Sequence, residues 1–439
     1  MIEKRFLDEY AWLGDRAYMD CSTLGLQPER TLKTAREFLD DYAYHLGHPT
    51  HGDSFSIREK CRKRLGELIH ADSEDIFFTD NTTQGNNLLS SFYPFEEGDE
   101  VILGNGDFAT VWLPWAAAQK KGIKPVWVQN ENGVFRAEDY IQKITERTKV
   151  IALSWVQSSS GYVTDIARLG EVCRSRGILL SVDAVQGMGR LPVDVQKMKI
   201  DILASSSFKG MLGVMGAGFC YCRREIMDKI TPPVCGGNIR IDSLDFRPGF
   251  TEAGVPTFVS GAPRMESGTG NNYGIAVMSE SVGLLLEIGV ENIAAHIREL
   301  EIYYRDCLKQ SGLIRSELNQ TDLSDSDSNY SAPNHSVLNS SELEMSALKQ
   351  SGRNDFNPYQ SGVRLQLLGS ENPATWSGSI SFLCPEEYRE VLKKELERAD
   401  ITVAVRQYVR VSLHYYNRKE HIDRLMEVLE RVFRKEYGK

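Results

Sequence analysis

One stretch decides the fold of this sequence: Ile200-Asp201-Ile202-Leu203-Ala204-Ser205-Ser206-Ser207-Phe208-Lys209-Gly210. Its apolar first half predicts a buried strand, and the small hydroxyl residues after it bring the amine of Lys209 to the rim of a sheet. Upstream, the run Ile178-Leu179-Leu180-Ser181-Val182 predicts a second strand that ends in Asp183, with Gln186 close behind. Two neighbouring strands therefore present a carboxylate and an amine at their carboxyl ends.

A carboxylate and an amine at one sheet edge suit pyridoxal phosphate. The lysine forms a Schiff base with the aldehyde of this cofactor, and the aspartate pairs with its pyridinium nitrogen. The pair Lys209 and Asp183 therefore predicts pyridoxal 5'-phosphate as cofactor and an amino acid as substrate.

The surrounding sequence alternates between strand-like and helix-like segments, which predicts an α/β fold with a mostly parallel seven-stranded sheet. In such sheets ligands bind at the carboxyl ends of the strands. The predicted strands span residues 76–78, 100–103, 125–128, 150–155, 178–182, 202–204 and 218–221.

The length of 439 residues predicts two domains. We expect an N-terminal segment, 1–20, that packs on the small domain, a large cofactor-binding domain over 21–285, and a small α+β domain over 286–439. A helical segment over about 272–310 would link the large domain to the rest. The small domain would contain strands at 379–383, 401–405 and 408–413, helices at 385–398 and 419–436, and a Ser/Asn-rich insertion at 316–361 that cannot bury a core.

Composition excludes several classes of partner. A net charge of -10 argues against nucleic acid, and no apolar run reaches the length that crosses a bilayer. The start, Met1-Ile2-Glu3-Lys4-Arg5-Phe6, lacks the apolar stretch of a secretory signal. Eight scattered cysteines do not form a disulfide framework, so we expect a cytoplasmic protein.

Cysteine and histidine patterns do not predict a metal site. Cys220 and Cys222 alternate within a strand-like run and are interpreted as core residues, since no second Cys/His pair has ligand spacing. His45, His48 and His51 lie in a stretch that is broken by Pro and Gly and has no acidic partner at fixed spacing, which disfavours a metal site.

Hydroxyl side chains mark a phosphate site. Thr82 and Thr83 open a predicted helix directly after the first strand, where free backbone N–H groups bind anions. Ser206 lies beside Lys209, so a second hydroxyl cluster reaches the same rim.

These motifs together resemble the class V aminotransferase-type enzymes of pyridoxal phosphate fold type I. The resemblance rests on Val182-Asp183-Ala184-Val185-Gln186-Gly187, Ser206-Ser207-Phe208-Lys209 and Glu266-Ser267-Gly268-Thr269, and it runs from about Tyr18 to Leu425. The family includes cysteine desulfurases, selenocysteine lyases, isopenicillin N epimerase and kynureninase.

The resemblance implies a role for each motif residue. Lys209 would form the internal aldimine and shuttle the α-proton, Asp183 would hold the ring nitrogen, and Gln186 would meet the ring hydroxyl. The phosphate would be held by Thr82, Thr83 and Ser206. Thr269 would reach the phosphate of a partner subunit, which implies a homodimer with shared active sites.

Some positions depart from the family pattern. Phe108 stands where a histidine usually stacks on the ring, and it can stack but cannot donate a proton. Phe208 stands where desulfurases have a histidine before the lysine. Either Gln157 or Ser158 would contact the ring oxygen.

The C-terminal motif concerns the substrate. Val409-Arg410-Val411-Ser412 matches the family segment in which an arginine binds the substrate carboxylate, so Arg410 is predicted for that role and Arg406 as a second member. Desulfurases of group II carry a nucleophilic cysteine loop between these positions, whereas only Gln407-Tyr408-Val409 separates the two arginines. Cys384, the last cysteine, is interpreted as a core residue.

The sequence therefore predicts a pyridoxal phosphate enzyme that acts on an amino acid through an external aldimine and quinonoid, with an aminotransferase-like or epimerase-like outcome. A C–S or C–C lyase without a persulfide cysteine is the first alternative. A non-catalytic interaction protein is the second, and an NAD-type oxidoreductase is disfavoured because the turn at 79–87 lacks the glycine-rich fingerprint.

Overall fold

The computed structural model describes residues 2–45, 54–232, 239–240, 257–266, 268–314 and 365–434. His48, His51 and the predicted insertion at 316–361 lie outside the described residues. Within them the α-helices are α1 (Lys4–Leu7), α2 (Glu29–Tyr44), α3 (Ser54–Ile69), α4 (Thr82–Phe92), α5 (Ala109–Ala118), α6 (Ala137–Ile141), α7 (Ile166–Arg176), α8 (Arg224–Met227), α9 (Asn272–Ile288), α10 (Val290–Gln310), α11 (Glu386–Arg398) and α12 (Lys419–Arg434). The strands are β1 (Ala17–Tyr18), β2 (Ile76–Thr79), β3 (Glu100–Gly104), β4 (Lys124–Val128), β5 (Thr148–Ser154), β6 (Leu179–Asp183), β7 (Ile202–Ser206), β8 (Gly218–Cys222), β9 (Ile239–Arg240), β10 (Thr257–Phe258), β11 (Ser379–Leu383), β12 (Ile401–Thr402), β13 (Ala404–Val405) and β14 (Tyr408–Ser412).

A seven-stranded sheet forms the centre, in the order β2-β8-β7-β6-β5-β3-β4. Its strands are parallel except β8, which runs antiparallel to both of its neighbours. Each of the seven predicted strands is present. β6, β7 and β8 are buried at every residue, because helices cover both faces of the sheet.

The two faces of the sheet carry separate apolar clusters. One contains side chains of α4 and α5, such as Leu88 and Trp115, and also both Cys220 and Cys222. The other contains side chains of α7 and α9, such as Leu169 and Val282. The interpretation of the two cysteines as core residues is confirmed by their complete burial.

A smaller antiparallel sheet has the order β11-β14-β13, and β1 pairs with β12 as a separate parallel pair. The prediction of one strand over 401–405 is wrong. The chain changes its pairing partner between Thr402 and Ala404, so that β12 pairs with β1 and β13 pairs with β14.

The predicted helical segment over 272–310 is present as two helices, α9 and α10. α9 and α10 meet at an angle of 75° at Gly289. Its φ of 82° lies in the left-handed region, where glycine ends helices without steric cost. No single helix in the described part of the chain is long and apolar enough to span a membrane, and α9 and α10 meet those limits of length and composition only as this bent pair.

Candidate active site

A cavity of about 220 Å³ lies at the carboxyl ends of β5, β6 and β7. Most of the residues proposed for the cofactor line it, together with Ser158 and Phe208. These residues are Thr82, Thr83, Phe108, Asp183, Gln186, Ser206 and Lys209. Arg410 lies behind Ser158, whereas Arg406 and Thr269 are exposed and do not line the cavity.

Strand register explains why these residues meet. Ser154 pairs with Asp183, and Asp183 pairs with Ala204, so β5 and β6 end level with each other and β7 ends two residues further on. α4 packs tightly on this edge, because a Cβ on Gly85 would lie 2.6 Å from the Cβ of Ala204. The glycine thus brings the start of α4 to the rim of the sheet.

Lys209 projects its amine between two aromatic rings. Nζ lies 6.0 Å from the ring centre of Phe108 and 5.7 Å from that of Phe208. The pKa of Lys209 is lowered to about 8, chiefly by burial; the Asp183 carboxylate opposes this shift, and the charge of Arg410 adds to it. A much larger fraction of this amine is therefore neutral and nucleophilic near neutral pH than in an ordinary lysine, although the protonated form still predominates there.

Each carboxylate oxygen of Asp183 accepts a hydrogen bond from the protein. Oδ2 accepts a hydrogen bond from Asn86 Nδ2 at 2.9 Å, and Oδ1 accepts one from the Val185 N–H at 3.1 Å. Burial raises the pKa of Asp183, whereas these donors and the charge of Lys209 oppose the rise. Asn86 was missed by the sequence analysis, although it lies four residues after Thr82 and therefore on the same face of α4.

The start of α4 forms an anion site with β7. The Thr82 N–H donates to Ser206 Oγ at 2.8 Å, and the two hydroxyl oxygens also lie 2.8 Å apart. Asn81 caps the helix by accepting from the Gln84 N–H at 3.1 Å, and Thr83 is exposed in the first turn. Backbone N–H groups and hydroxyls at a helix start are suited to a phosphate dianion.

A buried carboxylate anchors the backbone next to Phe108, which lines the cavity. Asp107, the neighbour of Phe108, is buried and accepts hydrogen bonds from the Ser154 N–H at 2.9 Å and from Gln157 Nε2 at 2.8 Å. Burial raises the pKa of Asp107 to about 6. The Phe108 ring remains 45% exposed. Gln157 is therefore engaged with the residue that precedes Phe108, and Ser158 is the member of the pair that lines the cavity.

Gln186 binds the N-terminal segment through its side-chain amide nitrogen. Its Nε2 donates to the carbonyl of Ser22 at 3.1 Å. Its Oε1 is buried and has no partner in the described part of the chain. A ligand hydroxyl that donates to this oxygen would satisfy it.

Arg410 is buried in β14 and partly engaged. Nη1 donates to the carbonyl of Ser158 at 2.7 Å, and Nη2 donates to Thr23 Oγ1 at 2.7 Å and to Asp20 Oδ1 at 3.3 Å. Nε is buried and has no partner among the described residues. Asp20 and Thr23 come from the opposite end of the chain, and no motif in the sequence pointed to them.

Cys384 does not supply a reactive thiolate. It is buried at the end of β11, and burial raises the pKa of its thiol to about 11. The thiol of Cys21 is also buried, with its pKa raised to about 11. Thiolates are the reactive form, so neither residue resembles a sulfur-accepting nucleophile.

The sequence comparison decides the family. The family model described as aminotransferase class-V matches residues 17–347, about three quarters of the chain. The chain belongs to the class V aminotransferase family. It is 26% identical over 290 residues to a probable cysteine desulfurase of Methanothermobacter thermautotrophicus, covering 65% of this chain and 70% of that one. It is also 26% identical over 312 residues to a cysteine desulfurase of Escherichia coli, covering 68% and 75% of the two chains.

Solved structures show the same fold. A cysteine desulfurase from Thermococcus onnurineus superposes with a TM-score of 0.78 at 22% identity, covering 99% of this chain and 98% of that one. A cystine C–S lyase in complex with its product, cysteine persulfide, gives 0.73 at 18% identity and covers 96% and 98%. The fold is therefore the type I fold of pyridoxal phosphate enzymes.

Pyridoxal phosphate is the cofactor of this family, and the cavity fits it. The free amine of Lys209, the buried carboxylate of Asp183 and the unpartnered Oε1 of Gln186 match its aldehyde, ring nitrogen and ring hydroxyl in chemical type. The start of α4 offers donors for its phosphate.

Proposed function

We propose that this enzyme removes the α-proton of a sulfur-containing amino acid with Lys209 and cleaves its C–S bond by β-elimination. Within this proposal Asp183 holds the ring nitrogen of the cofactor, and Thr82, Thr83 and Ser206 hold its phosphate. The protein acts as a cytoplasmic homodimer in which Thr269 reaches the partner's cofactor. When bound, the cofactor supplies an electron sink for the charge left on the α-carbon.

The observation that carries the proposal is the presence of a single mobile base. Lys209 and Asp183 are the titratable side chains among the described residues that line the cavity. Asp183 is held by Asn86 and Val185, which leaves Lys209 to move protons. Epimerisation by two bases needs a second proton carrier, whereas Phe108 offers an aromatic face without an exchangeable proton. Elimination and transamination each need one base, so both rank ahead of epimerisation.

The family relatives favour elimination of sulfur. The relatives cited are named cysteine desulfurases, and one structural neighbour is a cystine C–S lyase. The segment between Arg406 and Arg410 contains no cysteine, so this chain has no protein thiol there to receive the sulfur. The sulfur would instead leave with the product: cystine and water would give pyruvate, ammonia and cysteine persulfide.

The carboxylate of the substrate would bind Arg410. Its unpartnered Nε is a buried donor that costs free energy until an acceptor arrives. The guanidinium lies behind Ser158, which lines the cavity, and its charge reaches Lys209 and lowers the pKa of the lysine. We propose this role for Arg410 alone, because Arg406 is exposed.

Product analysis tests the proposal. The holoenzyme is incubated with L-cystine, L-cysteine and L-alanine, and pyruvate, ammonia and persulfide are measured. We expect equal amounts of the three products from cystine, none from Lys209→Ala, and unchanged amounts from the control Lys63→Ala, whose side chain is exposed on α3. Turnover that needs an added keto acid as amino-group acceptor, and that forms the corresponding amino acid without ammonia, would instead establish an aminotransferase. Formation of the D-isomer would establish an epimerase.

A further inference from the structure

The turn that carries Lys209 is held by two distant parts of the chain. The Gly25 N–H donates to the carbonyl of Phe208 at 2.8 Å, on one side of the lysine. His414 Nε2 lies 2.9 Å from the carbonyl oxygen of Gly210, on the other side. A Cβ at Gly25 would lie 2.0 Å from the carbonyl oxygen of Lys209, so only glycine permits this approach.

The tautomer of His414 follows from its other ring nitrogen. Nδ1 lies 2.8 Å from the backbone nitrogen of Tyr415, whose N–H donates to it. Nε2 therefore carries the proton and donates to the Gly210 carbonyl. Burial lowers the pKa of His414 to about 3, and the charge of Arg190 acts in the same direction. The ring is neutral at physiological pH, so this donor does not change with pH there.

His414 also connects the lysine turn to the substrate side of the site. It follows β14 by two residues, and β14 carries Arg410. The carbonyl of Leu413 accepts from the buried Arg190, which fixes this part of the backbone. We propose that His414 is a positioning residue that fixes the Lys209 turn relative to the strand that carries Arg410. The inference rests on the proposed function, in which these two residues hold the cofactor and the substrate carboxylate.

Loss of this hydrogen bond would act on turnover more than on substrate binding. The amine of Lys209 would lose its alignment with the α-proton, whereas the contacts of Arg410 with Ser158 and Thr23 would remain. Misplacement of a reacting group costs about ten- to hundredfold in rate. We therefore expect kcat to fall by about that factor while KM stays within about twofold.

Two amide substitutions separate the hydrogen bond that His414 donates to Gly210 from the one that it accepts from Tyr415. His414→Gln places an amide near the former Nε2 and can still donate to Gly210, whereas His414→Asn reaches only the former Nδ1 position. In the holoenzyme we measure kcat, KM and the pH titration of the visible absorbance of the bound cofactor. We expect His414→Gln to stay within about threefold of the parent, since it keeps the donor, and His414→Asn to lose about ten- to hundredfold in kcat with a shifted titration midpoint.

The control is Tyr304→Phe, which removes a buried hydroxyl without a described partner from α10 and should leave all three values unchanged. An unchanged kcat and titration in His414→Asn would overturn the proposal. Equal losses in His414→Gln and His414→Asn would also overturn it, because the ring would then serve packing alone. A failure of the proposed function looks different, because it shows in the parent enzyme: cystine would give no pyruvate, ammonia and persulfide, or borohydride reduction would leave Lys209 without bound cofactor.

Discussion

Removing the amine of Lys209 should stabilise the cofactor-free protein. Lys209→Met keeps the length and apolar stem of the side chain and deletes its charge. The amine lies between the rings of Phe108 and Phe208, in a place where burial disfavours the charged form. A residue retained for chemistry at a cost in folding free energy is expected to show this behaviour.

The magnitude follows from the pKa of the lysine. A decrease from 10.5 to about 8 corresponds to about 3 kcal/mol of unfavourable free energy in the folded state at neutral pH. The side chain is half-buried in an open cleft, and solvent screening reduces the expected gain to about 2 kcal/mol. The folded pKa lies below the unfolded one, so between these values the unfolded state binds more protons and the stability of the parent rises with pH. The advantage of the variant is therefore complete below pH 8 and disappears towards pH 10.5.

The assay is urea unfolding of the cofactor-free parent and variant at several pH values from 7 to 10. The control is Lys63→Met, an exposed position on α3 where we expect a change within about 0.5 kcal/mol at every pH. Equal or lower stability of Lys209→Met at pH 7 would refute the reasoning. A stabilisation that does not decline with pH would refute it too, since the gain would then not come from the charge.

Two further substitutions test the other ends of the site. Asp183→Asn should lower kcat by about a hundredfold or more, because a neutral amide cannot keep the ring nitrogen protonated. Product formation measures this, and the control Asp40→Asn, at an exposed position of α2, should leave kcat unchanged. Arg410→Lys should raise KM about tenfold, because an ammonium cannot reproduce the planar fork of a guanidinium. Arg406→Lys is its matched control and should stay within about twofold, since Arg406 is exposed. An equal effect of the two arginine substitutions would contradict the assignment.

Much of the fold could be predicted because buried parallel strands are continuous apolar runs. β6 and β7 are buried at every residue, and their runs end at Asp183 and near Lys209. The break at Gly289 could not be predicted, since the apolar pattern continues through α9 and α10 on both sides of it. A lone glycine between two helical patterns is compatible with a continuous helix and with a bend.

Site residues could be predicted from the sequence where they directly follow a strand of the central sheet. They could not be predicted where segments far apart in the sequence come together. Lys209, Asp183 and Ser206 follow strands of one sheet, so their proximity follows from the topology. Asp20 and His414 reach the site from the two ends of the chain through hydrogen bonds. No local spacing in the sequence encodes such a contact.

The charges around Lys209 give the site a way to couple substrate binding to base strength. The guanidinium of Arg410 lowers the pKa of Lys209 through space. A substrate carboxylate bound to Arg410 would offset that positive charge, and the pKa of the free amine would rise. The amine would then be a stronger base when a carboxylate is in place than when the cavity holds water. Amines without a carboxylate should therefore react more slowly even at saturation, because they bind without strengthening the base.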